Sequence, residues 1–122
     1  MIRNLAILAC VIALTAVPAD AANASETITR FEAQGSETSG LIIASVTDLA
    51  FMRPLIGAFQ QTNPGISVSY IEDTSNSLDA SVSRACADRT FLADLVISSS
   101  IAQQVRLVNG GCAREIDSPL AR

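Results

Sequence analysis

The chain contains no histidine, no lysine and no tryptophan, and a single tyrosine. Without histidine there is no imidazole base, which excludes Ser-His-Asp and Cys-His hydrolases built within this chain. Without lysine there is no Schiff-base amine, no phosphate-loop lysine and no Ser-Lys dyad. Basic side chains are scarce. Eight arginines face twelve carboxylates, for a formal charge of −4 and a pI near 4.5. A nucleic-acid binder needs a basic face to displace counterions from phosphates, so that class is excluded too. The dinucleotide glycine fingerprint, the phosphate loop and the nucleophile elbow are all missing. Three cysteines and no histidine make no zinc spacing, and no metal or cofactor is expected. Asp48 and Asp94 fall at opposite ends of predicted strands and cannot act as a close carboxylate pair. The chain is therefore read as a non-enzyme, and its 122 residues allow one small domain at most.

What is present begins with an address. Arg3 precedes an uncharged apolar run, Leu5 to Val17, and the small-residue stretches Ala19-Asp20-Ala21 and Ala22-Asn23-Ala24 follow. That order is expected of a secretory signal peptide over residues 1–24. The run is too short to span a bilayer comfortably and no second one follows, so no stable membrane insertion is expected after cleavage. Cleavage removes Cys10 and leaves Cys86 and Cys112, an even pair for an oxidising compartment.

Residues 25–40 are polar and rich in Ser, Thr and Glu, and are read as an N-terminal arm. At Leu41 the pattern changes. Leu41–Val46 is a near-continuous apolar run, as expected for a strand covered on both faces. Thr47 and Asp48 offer N-cap oxygens to a helix reaching about Thr62, with Phe51, Leu55 and Phe59 on the predicted packed stripe and Met52 and Ile56 beside them on it. Pro54 places the start of its regular part near that residue. Asn63-Pro64-Gly65 ends it. Ile66–Ile71 alternates apolar and polar as a second strand, and a helix from about Leu78 to Arg89 follows, packed through Leu78, Val82 and Cys86. Leu95–Ile97 is a third buried strand. The last helix starts at Ile101, with Ile101, Val105 and Val108 on its predicted packed face, and ends at Gly110-Gly111. This alternation predicts an α/β fold with a three-stranded parallel sheet, order 2-1-3, the first helix on one face and the other two on the opposite face.

In such a sheet, ligands bind beyond the carboxyl ends of the strands where the strand order reverses. That point brings together Ser45, Thr47 and Asp48 after the first strand and Ser98, Ser99 and Ser100 after the third. Both loops lead into helix N-termini, whose free N–H groups favour anions. Each of these residues alone has helix capping as its ordinary role, and two such loops converging make a candidate site for a small oxyanion or carboxylate. At the opposite end of the sheet, the second and third helices bring Cys86 and Cys112 within reach of a disulfide. The alternative is Cys86 as a small apolar core residue.

The segments LIIASVTDLAFMRPLIGAFQQTNPGISVSYIE (Leu41–Glu72) and ADLVISSSIAQQVRLVNGG (Ala93–Gly111) carry a likeness. A strand ending in a Ser/Thr-Asp turn, a "P-G-I-x-V" strand and an "A-D-V-V-I-S-S" strand entering a helix that ends "L-V-N-x-G" resemble the N-terminal part of bacterial extracellular solute-binding proteins of ABC importers. The likeness is greatest to the class with a serine-rich anion site. The resemblance implies a periplasmic receptor that captures a small anionic or polar solute for a membrane permease. It also implies that Ser45, Thr47, Asp48, Ser98, Ser99 and Ser100 line one cleft wall. Members of that family have two lobes and a hinge, so residues 41–122 are expected to form an incomplete N-terminal lobe of a periplasmic-binding-protein fold, truncated before the second. The other expectation is a small secreted ligand-sensing or protein-interaction module built on a half-lobe.

Overall fold

A computed structural model of the chain describes residues 26–114; the expected signal peptide (1–24) and the tail from Glu115 lie outside the described residues. The elements in chain order are β1 (Thr27–Phe31), β2 (Ser39–Ser45), α1 (Leu49–Thr62), β3 (Ile66–Glu72), α2 (Ser75–Asp88), β4 (Leu95–Ile97) and α3 (Ile101–Asn109). They build one sheet of order β1-β3-β2-β4, with β2 parallel to both β3 and β4. The apolar run predicted as the first strand is thus the inner strand β2, as its two-faced hydrophobicity requires. Its outward sides divide the core. Ile43 joins Val68, Tyr70 and Ile56 under α1. Ala44 joins Leu78, Val82 and Leu107 under α2 and α3.

The expected three-stranded parallel sheet requires one correction. Part of the polar arm forms β1, a fourth strand antiparallel to β3 with Phe31 opposite Val68 and Thr27 opposite Glu72. β1 is legible in hindsight only through its neighbours. Phe31 covers the α1 side of the sheet, and the buried Gln60 of α1 donates its amide to the Glu32 carbonyl at 2.9 Å and the Ile66 carbonyl at 3.0 Å. Arg30 on this edge bonds Glu32 and both carboxylate oxygens of Glu37, whose own partner is the Ser67 hydroxyl of β3. Charged side chains on an edge strand also discourage pairing with other chains.

Two helices depart from their predicted phase, α1 in part. α1 begins at Leu49 rather than near Pro54; Met52, Ile56 and Phe59 of its predicted stripe pack on the sheet together with the buried Gln60, while Phe51 is 74% and Leu55 62% exposed. Pro54 sits inside the helix and forgoes one backbone bond. α3 buries Gln103 and Leu107, while Ile101 is 80% exposed and Val105 and Val108 also face outward. In both helices the apolar residues span more than one stripe, so periodicity alone leaves the phase open by about 100° per residue.

Cys86 and Cys112 form the expected disulfide, with Cα atoms 5.6 Å apart. The turn before Cys112 needs its glycines: Gly111 takes φ +67°, and a Cβ on Gly110 would lie 3.1 Å from the Arg106 carbonyl oxygen and 3.4 Å from Cys86 Sγ. Among the described residues no helix is long and apolar enough to cross a membrane.

Candidate functional site at the strand carboxyl ends

The parallel strands deliver three loops to one end of the sheet: 46–48 after β2, 73–74 after β3 and 98–100 after β4. The first and third are adjacent, because the Val46 N–H donates to the Ile97 carbonyl at 3.2 Å and extends the β2–β4 ladder to the rim. All six residues expected there by sequence lie at this end, and the hydrogen bonds assign them different jobs.

Ser45 is fully buried, and its Oγ accepts the Thr47 N–H at 2.9 Å. Tyr70 donates its hydroxyl to the Thr47 carbonyl at 2.6 Å, which holds the same turn from below. Burial pushes the Tyr70 phenol above its ordinary pKa, a Ser45 hydrogen bond opposes this, and the Glu72 and Asp48 charges add to the rise. Tyr70 therefore stays a neutral donor. Asp48 is exposed and caps α1, accepting the Ala50 N–H at 2.7 Å on its side chain and the Phe51 N–H on its carbonyl. Ser100 caps α3 by accepting the Gln103 N–H at 3.3 Å. Ser98 Oγ accepts the Ser100 N–H at 3.1 Å. Thr47 is half-buried and Ser99 exposed, and neither hydroxyl has a partner among the described residues.

Sequence reasoning missed two carboxylates. Glu72, the last residue of β3, accepts the Leu49 N–H of α1 at 3.0 Å. Asp73 accepts the Thr74 N–H at 2.7 Å just before α2. Their only sequence signal is position, acidic residues closing an alternating strand. The consequence is electrostatic. The first N–H groups of α1 are taken by Asp48 and Glu72, whereas Ile101 and Ala102 at the start of α3 have N–H groups without a partner among the described residues. Ser75 and Asn76 at the start of α2 also have N–H groups without a partner among the described residues, but the Asp73 carboxylate stands just before them. α3 offers open donors and the favourable end of its dipole to an anion with no carboxylate in its own loop, 98–100. The arginines of the described residues lie elsewhere: Arg30 is tied to Glu32 and Glu37, Arg53 stacks over Phe31, Arg106 pairs with Asp79, Arg84 lies in the second half of α2, and Arg89 and Arg114 follow the far ends of α2 and α3.

A wide hollow lies away from these loops, an open, mostly apolar groove of about 650 Å³ beneath the β4 edge, lined by Val82, Phe91, Leu95, Val96 and Leu107 among others. Among the described residues no three His, Cys, Asp or Glu side chains gather as a metal site.

No family model and no curated protein matches the chain. Among solved structures, the chain is similar to the substrate-binding protein of an ABC transporter from Agrobacterium tumefaciens, with a TM-score of 0.74 and 27% identity over 80% of this chain. It spans 30% of the length of that protein's chain.

Proposed function

We propose that the chain is the solute-capturing part of an ABC-importer binding protein, with its site at the carboxyl ends of β2 and β4. The likeness to a transporter's substrate-binding protein supports the general role. The observation that carries the site is the open N-terminus of α3 beside the Thr47 and Ser99 hydroxyls, which have no partner among the described residues, at the point where the strand order reverses. An anionic group of the solute meets the Ile101 and Ala102 N–H groups and the Ser98, Ser99 and Thr47 hydroxyls. Asp48 and Glu72 stand across the α1 start and favour a solute that also carries a hydrogen-bond donor. No step of chemistry on the solute is involved. The chain works in the periplasm after removal of residues 1–24 and delivers the solute to a membrane permease. Residues 41–114 form one cleft wall, which alone covers too little of a solute for tight binding.

The test is an amide NMR titration of the full chain with sulfate, phosphate, acetate and glycine at constant ionic strength. At least one of them is expected to give saturable shifts confined to Thr47 and Ser98–Ala102, with affinity in the millimolar range, about −4 kcal/mol. Shifts absent with every probe, or spread evenly over the surface, overturn the reading.

The groove under β4 favours a second reading, a module that receives an extended polypeptide strand on the free β4 edge. Phe91, Leu95, Ile101 and Val105 are exposed around that edge. Selective broadening at Leu95–Ile97 on adding a partner peptide would support it, and broadening only at Ser98–Ala102 would refute it.

A further inference from the structure

Ser100-Ile101-Ala102-Gln103 has the spacing of a capping box, in which the N-cap serine bonds the third residue's N–H and the third residue's amide reaches back to the N-cap N–H. Only half of the box is formed. Ser100 Oγ accepts the Gln103 N–H, while the Ser100 N–H is donated to Ser98 Oγ instead. The Gln103 amide is left 1% exposed, with neither Nε2 nor Oε1 bonded to any group among the described residues. A buried amide in that state carries the full desolvation cost of its polar atoms. Its side chain sits in the first turn of α3, where helical geometry leans side chains back toward the N-terminus. Ser98 Oγ thus holds the N–H that a completed capping box would give to Gln103 Oε1.

We infer that Gln103 is a positioning residue for solute capture: it takes over the Ser100 N–H when the Ser98 side chain turns away from it to donate its hydroxyl to the solute. The inference deepens the reading above and rests on it. The exchange leaves Ser100 satisfied in both arrangements and gives the Gln103 amide the partner it lacks. Ser98 is then free to turn toward the solute without orphaning the backbone donor behind it. A leucine at position 103 would remove the orphan and also the exchange. A glutamate would keep the exchange, because it is the other residue that completes a capping box.

A double-mutant cycle in the full chain without solute tests the exchange, using Ser98→Ala, Gln103→Leu and both, read by urea unfolding and by exchange of the Ser100 amide hydrogen. Ser98→Ala alone is expected to keep the Ser100 amide protected, since Gln103 accepts it. The double variant is expected to lose that protection and to fall about tenfold further in folded-to-unfolded ratio than the single changes predict together. Ser98→Ala/Gln103→Glu is expected to restore protection. Single effects that combine within about twofold, or Ser100 protection already lost in Ser98→Ala, overturn the exchange whatever the chain binds. Sulfate titration of wild type and Gln103→Leu then separates the two ideas. A several-fold weaker response in the variant supports the positioning role. A coupled cycle with no sulfate response in wild type overturns the solute reading and leaves the exchange as a property of the loop alone.

Discussion

Reduction of the Cys86–Cys112 bond is the perturbation whose size the structure best defines. The bond closes a loop with a sequence separation of 26 and joins the end of α2 to the turn after α3. Loop-closure entropy for that length corresponds to about 3.5 kcal/mol at 25 °C, because the open chain gains conformations that the closed one lacks. A domain of this size has roughly 4–13 kcal/mol of total stability, so the bond is worth a quarter of it or more. α3 depends on it heavily. Among the described residues its buried side chains are only Gln103 and Leu107, and its outer face is apolar and uncovered. With a urea slope of about 1–1.5 kcal/mol/M, reduction is expected to lower the unfolding midpoint by about 2.5–3.5 M. The assay is urea unfolding with and without a phosphine reductant, with Cys86→Ala/Cys112→Ala as the comparator that should coincide with the reduced protein. Thiol titration of the unfolded, unreduced full chain should find one free thiol, that of Cys10. Three free thiols, or a midpoint drop under about 0.7 M, would refute the reasoning.

Two further outcomes are expected. Gln60→Leu should cost about 1 kcal/mol, because it removes the bonds that the buried amide donates to the Glu32 and Ile66 carbonyls, and it should speed amide exchange selectively over Thr27–Phe31; a uniform change across the sheet would count against β1 being pinned by this amide. The Glu37 carboxyl is held below its ordinary value of 4.5 by the Arg30 hydrogen bonds first and the Ser67 hydroxyl second. Its folded-state pKa is lower than its unfolded one, so its contribution is present above about pH 4.5 and is lost as pH falls through the folded value. Wild type should therefore lose stability more steeply than Glu37→Gln on going from about pH 5 to pH 3 in urea unfolding. Parallel curves would remove that role.

Much of the scaffold was readable from particular residues. Leu41–Val46 announces a strand covered on both faces, and Leu78, Val82 and Cys86 announce both the packed face of α2 and the route to its disulfide. Asp48 and Ser100 are visible as caps, and both do cap. Phe51 and Leu55 were misread because apolar residues cover more than half of α1, and only the sheet beneath decides which stripe it meets. β1 was invisible because its inward position 29 is a threonine and its pairing is carried by backbone groups, which every sequence supplies alike.

The sequence by itself determined the class: alternating elements too regular for anything but a parallel α/β layer, and a residue set without the groups that most catalysis requires. It determined the end of the sheet at which the strand-to-helix loops gather, since helix starts follow strands in chain order. The tertiary structure alone decided that the α1 start is closed and how the α3 start is bonded. Glu72 reaches the α1 start from β3 and takes the Leu49 N–H, and Ser98 takes the Ser100 N–H. Both depend on which side chains the packing brings within about 3 Å of a given N–H, and that is a distance no spacing along the chain contains.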